Sequence, residues 1–144
     1  MICRVCEIQD PREIWNEFSN TLNQLGSHKD ELYVYGQDKN FFDRLVIASG
    51  LSPEEWGKAN VHQNKLYSEG LVFESLLNQL DEMECPMLLI KGETDWVSSN
   101  NQVQRFLEGK GQKSYVFIEK SGHFPRFERN DVYVNEIRRF VSDL

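Results

Sequence analysis

Apolar residues recur with two different patterns along this chain, and the change falls at Cys85. From Asp10 to Met83 the spacing is helical. In DPREIWNEFSNTLNQLG, Ile14, Trp15, Phe18, Leu22 and Leu25 make one apolar stripe at the three- and four-residue intervals of a helix face. Asp10 stands at the N-cap, Pro11 takes the first helical position, and Gly26 closes the element. QDKNFFDRLVIASG repeats this logic with Phe41, Phe42, Leu45 and Val46 and ends at Gly50. SPEEW predicts a further start, with Ser52 as cap, Pro53 first and Glu55 closing a capping box. EGLVFESLLNQLDEM carries Leu76, Leu77, Leu80 and Met83 at helical spacing. ELYVYG, from Glu31 to Gly36, stands apart: its β-formers suit a short extended segment or a connection between helices.

Beyond Cys85 the grammar is different. PMLLI is a short continuous apolar run, as expected of a strand buried on both faces. GETDWVSSN reads as a loop, and NQVQRFLEG as a helix ended by Gly109. SYVFIE is a second strand, rich in β-branched and aromatic residues. KSGHFPRFERN is a second loop. DVYVNEIRRFVSDL is a closing amphipathic helix with Val132, Ile137, Phe140 and Val141 on its apolar side. Strand, helix, strand, helix with short connections predicts a crossover joining two parallel neighbours.

A chain of 144 residues, 40 % of them apolar, can bury a core of about one domain. Its formal charge of −7 opposes binding to nucleic acid or to anionic membrane unless basic residues are set apart. They are not: Arg126 and Arg129 alternate with Glu128 and Asp131, and Arg138-Arg139 is only a pair. No apolar run approaches the roughly 20 residues of a membrane span. The opening MICRVCEIQD is too short and too polar for a signal peptide. Three cysteines without secretory features suit a reducing cytoplasm. Cys3 and Cys6 form a C-x-x-C, but a zinc site needs two more ligands at suitable spacing, and Cys85, His28, His62 and His123 are scattered. A redox motif of this kind would follow a strand, and nothing precedes this pair.

Chemistry enters with the two loops after the strands. Asp95 lies five residues past Ile90, and His123 lies five past Ile118. Parallel neighbours end on the same sheet edge, with axes about 4.8 Å apart. Loops of equal length would then bring the carboxylate and the imidazole together. An aspartate bonded to one ring nitrogen fixes the tautomer and leaves the other nitrogen free to act as a base. Gly92 and Gly122 fit as residues that let each loop bend over the sheet edge.

CPMLLIKGETDWVSSNNQVQRFL, followed by YVFIEKSGHFPRFERNDVYVNEIRRFV, resembles the C-terminal portion of the α/β-hydrolase superfamily. The shared pattern is P-x-L-x-I-x-G-x-x-D, a helix, a strand ending in G-H-x-P-x-x-E, and a closing helix. The resemblance covers about residues 84 to 144. It implies that Asp95 is the triad acid and His123 the triad base. It also implies an α/β fold of which this chain holds a helical cap, residues 1–84, and the last two parallel strands and their helices, residues 85–144. The helical stretch from Asp10 to Met83 is similar to caps of the proline-iminopeptidase, epoxide-hydrolase and C–C-bond-hydrolase kind.

One departure from that family is large. Its nucleophile sits in G-x-S-x-G, a strained strand-to-helix turn, and this chain has none. The closest approach, LYSEG, puts Leu66 in place of the first glycine and Ser68 within a helical stretch. The expectation is therefore a chain without the N-terminal half of the core, inactive alone. Its sheet edges would be completed by that half or by a second copy. The intact enzyme would hydrolyse an ester, amide or related bond of a small molecule, with serine or aspartate as nucleophile and without a cofactor. Trp96 beside Asp95 is a candidate substrate contact, as are Trp15, Phe18, Trp56 and Phe73 if they do not simply pack among cap helices. The other reading is a non-catalytic helical interaction module descended from such a hydrolase.

Overall fold

The structure is a computed structural model that describes residues 9–26 and 28–144; Cys3 and Cys6 lie outside them. It is mixed α/β, mostly helical, with one two-stranded parallel sheet among the described residues. The chain falls into two compact units. The first comprises the described residues up to Lys29 together with Asn40–Ser75, and the second Asp30–Lys39 together with Leu76–Leu144.

The helical unit contains α1 (Pro11–Asn23), α3 (Phe41–Ser49) and α4 (Pro53–Ser68), and α2 (His28–Glu31) begins at its edge. Its starts are where the caps predict them. Asp10 Oδ1 accepts the Arg12 N–H at 2.7 Å. Ser52 Oγ accepts the Glu55 N–H, and Glu55 returns its carboxylate to the Ser52 N–H at 2.7 Å, a complete capping box. Trp15 of α1 stacks on Tyr67 of α4 with ring centroids 5.3 Å apart, and Phe18 and Phe73 extend the cluster on either side. Three of the aromatic pocket candidates, Trp15, Phe18 and Phe73, therefore belong to one cluster joined through Tyr67. Trp56 keeps a buried indole N–H with no acceptor among the described residues.

The helical pattern of EGLVFESLLNQLDEM does not yield one helix. Gly70 adopts a left-handed conformation (φ 77°), a 3₁₀ turn covers Leu71–Phe73, and Glu74 is extended. Only α5 (Leu77–Glu82) completes the stretch. Glycine takes that conformation without the steric cost a side chain would bring, so the break falls there.

In the sheet unit, β1 (Met87–Gly92) pairs in parallel with β2 (Lys113–Ile118), Met87 opposite Lys113 and Gly92 opposite Ile118. Between them runs α6 (Asn100–Leu107), with a second capping box from Ser99 and Gln102. The second loop contains a single helical turn, α7 (Pro125–Glu128), where the sequence reads as irregular; Pro125 supplies the preset φ of a helix start. It leads into α8 (Asn130–Ser142). Alternation along β1 puts Leu88 and Ile90 on the face that shares a recess with α8. Lys91 turns the opposite way, its Nζ 3.4 Å from Asn100 Oδ1 at the start of α6. Helices cover the strands only in part: Ile118 and Val103 are buried, but Met87–Ile90 and Lys113–Val116 are half-buried and Phe117 is 49 % exposed, so the apolar runs are not buried on both faces as expected. No helix among the described residues is long and apolar enough to cross a membrane.

Candidate functional site

Both strands end at one edge, and the two loops that leave it are stitched together through their backbones. The Glu93 N–H donates to the Ile118 carbonyl at 3.0 Å, and the Thr94 N–H to the Ser121 carbonyl at 3.0 Å. Glu93, the second acid of the first loop, accepts the Lys120 N–H at 2.8 Å and so braces the neighbouring turn. Lys120 itself takes a left-handed conformation at φ 55°.

The loops are not equal in length when counted from the pairing. Ile90 lies opposite Val116, and it is Gly92 that lies opposite Ile118. Counted from that last pair, Asp95 is three residues out and His123 five. The left-handed turn at Lys120 absorbs the difference. The glycines also act differently from the sequence expectation. Neither Gly92 nor Gly122 has a positive φ; both permit close approach of backbones. A Cβ on Gly92 would collide with the Gly122 carbonyl, and one on Gly122 with the Tyr33 carbonyl.

This packing brings the pair together. His123 Nδ1 lies 3.0 Å from Asp95 Oδ1. The aspartate side chain is 7 % exposed and the histidine side chain 35 %. Asp95 Oδ1 also accepts the Val97 N–H at 3.0 Å, an Asx-type bond that sets the carboxylate's direction. An ionised carboxylate can only accept, so in a neutral imidazole this contact favours the tautomer with the proton on Nδ1 and the lone pair on Nε2. The arrangement is a nearly buried carboxylate bonded to a half-exposed imidazole.

The segment that holds the histidine comes from far away in the sequence. His123 donates its N–H to the Tyr33 carbonyl at 2.8 Å. The Tyr33 ring lies 5.9 Å from the imidazole and 5.0 Å from the Trp96 indole. Trp96 donates its indole N–H to the Leu32 carbonyl at 2.9 Å, and it does not line the recess beside the pair. That recess, about 640 Å³, opens beside Asp95 and His123. Its walls are mainly Leu88, Ile90, Phe124, Tyr133, Ile137 and Phe140. Trp15, Phe18, Trp56 and Phe73 are not among them. Ser68 ends α4 with its hydroxyl donating to the Lys65 carbonyl at 3.0 Å, and no strand leads into it. No group of three or more His, Cys, Asp or Glu able to hold a metal ion occurs among the described residues.

Sequence reasoning missed Tyr33 and Glu128. Glu128 is the last position of G-H-x-P-x-x-E and was visible as a motif letter without a role. Tyr33 had no signal beyond the β-forming character of its segment. No protein-family model, curated protein or solved structure matches this chain.

Proposed function

We propose that Asp95 and His123 are the acid and base of a nucleophile–His–Asp hydrolase of the α/β-hydrolase type. The observation that carries this reading is the 3.0 Å Nδ1–Oδ1 contact at the shared edge of two parallel strands. An aspartate so nearly buried has one evident use for an imidazole beside it: orientation, with Nε2 left to move protons. In the intact enzyme His123 takes the proton from a nucleophile hydroxyl as that oxygen bonds to an acyl carbon. It then delivers the proton to the leaving group, and water repeats the sequence to release the acid. Substrate is a small molecule carrying an ester, amide or related bond, and no cofactor is required.

The nucleophile and its oxyanion donors belong to polypeptide outside these 144 residues. Support comes from the absence of G-x-S-x-G and from the place of Ser68 on a helix. The sheet supports it too. Among the described residues each strand has one neighbour, so each leaves an edge of N–H and C=O groups without a strand partner there, which folded proteins ordinarily pair or cover. The recess between β1 and α8 adds an apolar face, with Val141 60 % exposed at its rim. The remaining half of a hydrolase core would complete both; failing that, a second copy would.

Activated-ester hydrolysis by this chain alone tests the reading. Turnover is expected to equal that of His123→Ala, because an imidazole without a nucleophile gives only background. Turnover well above background and abolished by His123→Ala would place the nucleophile within these residues and overturn its assignment to polypeptide outside them.

A further inference from the structure

His123 is flanked by two backbone N–H groups that leave the sheet and go to one side chain. Glu128 Oε2 accepts the Gly122 N–H at 2.9 Å and the Phe124 N–H at 3.2 Å. The Ser121 hydroxyl, fully buried, lies 3.3 Å from the same oxygen. The other carboxylate oxygen, Oε1, accepts the Tyr35 N–H at 2.7 Å, across 93 positions of sequence. No lysine, arginine or histidine pairs with Glu128 among the described residues, so its partners are backbone amides and one hydroxyl. The N–H between the two flanking ones, that of His123, goes to the Tyr33 carbonyl.

Three consecutive amides of the histidine loop are thereby committed, two to Glu128 and one to the segment that Glu128 also holds. We propose that Glu128 is the positioning residue of His123: its carboxylate ties the histidine loop to the Tyr33–Tyr35 segment and so aims Nδ1 at Asp95. The geometry explains why the group is a carboxylate. Both oxygens face N–H donors, and an ionised carboxylate accepts at both while donating at neither. A glutamine would turn its own N–H₂ toward one set of donors. The backbone on each side of His123 would lose an anchor, and the ring direction with it. The inference rests on the acid–base reading of Asp95 and His123, and adds that the base is aimed from outside its own pair.

Nuclear magnetic resonance of the full chain tests it in two ways. In the unaltered protein, the amide protons of Gly122, Phe124 and Tyr35, all bonded to the Glu128 carboxylate, are expected to be protected from exchange with solvent. Free exchange at these three amides would overturn the proposal whether or not any variant folds. The second readout is the His123 ring tautomer. Glu128→Gln is expected to abolish the predominance of the Nδ1–H form while the Val97 amide still reports an ordered Asp95. A purely structural role would lower the melting temperature and leave the tautomer in place, which would contradict the proposal. Failure of the acid–base reading itself looks different: Nδ1–H would not predominate in the unaltered protein, or Asp95→Asn would leave it unchanged.

Discussion

Side-chain hydrogen bonds in the helical unit are local, its long-range tie being the stacking of Trp15 on Tyr67, whereas those of the sheet unit also run over long stretches of chain. Asp10 caps α1 two residues on, and Ser52 and Glu55 close their box within a single turn. In the sheet unit, Trp96 reaches Leu32 across 64 positions and Tyr35 reaches Glu128 across 93. Burial follows the same division. The buried polar residues Lys91, Asp95 and Ser121 all belong to the sheet unit, as do Val34, Val103 and Ile118, and the helical unit contributes Phe41. The difference teaches where function can be built. A carboxylate and an imidazole need fixed, shielded surroundings to act as a pair, and the unit with long-range hydrogen bonds and buried polar residues supplies them.

The contrast can be broken most forcefully at its glycines. Gly92→Val drives a side chain into the backbone of the neighbouring loop, which has no room to yield. A loss of about 3 kcal/mol or more is expected, in the range reserved for named steric failures. Gly50→Ala in the helical unit meets nothing within 4 Å and suffers only from its φ of 65°. Its expected cost is about 1–2 kcal/mol. Chemical denaturation of both variants measures the difference, and equal losses would erase the distinction between the units.

A smaller effect sharpens the local side. Ser52→Ala removes the hydroxyl that receives the Glu55 N–H, at an expected cost of about 1 kcal/mol. Circular dichroism through a thermal melt reads it, and no change would mean that α4 owes nothing to its box.

The smallest effects concern pH, and they run in opposite directions in the two units. The Ser52 N–H, and then its hydroxyl, hold the Glu55 carboxyl below its ordinary value. A carboxyl depressed on folding contributes stability above its unfolded value, and this is lost as pH falls through the folded one. Burial raises the Tyr115 phenol above its ordinary value. A phenol raised on folding contributes stability fully below its unfolded value, and this is lost as pH rises through the folded one. Glu55 is exposed and Tyr115 only half-buried, so each change is slight. Glu55→Gln is expected to flatten the acid limb of a stability–pH curve, and Tyr115→Phe the alkaline limb. Either variant altering the opposite limb would contradict the assignment.

The same contrast accounts for what could be read in advance. Helix starts at Pro11 and Pro53 were legible because their causes lie within a few residues. The two strands were legible from continuous apolar runs, and the pairing of Asp95 with His123 followed from their parallel order. Loop length was misjudged because register is set by pairing: Ile118 stands opposite Gly92 and not Ile90. The segment around Tyr33 was illegible because its partners are Trp96, His123 and Glu128, and nothing local marks it. Gly70 stopped a helix that the leucines alone would extend, since the apolar period says nothing about a left-handed residue inside it.

The proton on the His123 ring tests the central claim most directly. Correlation of the ring nitrogens with their carbon-bound protons distinguishes Nδ1–H from Nε2–H in the neutral imidazole. With Asp95 accepting at 3.0 Å, the account predicts Nδ1–H as the main form, and its collapse toward the Nε2–H form of free imidazole in Asp95→Asn. A His123 ring with its proton mainly on Nε2 in the unaltered chain, indifferent to Asp95→Asn, would contradict it.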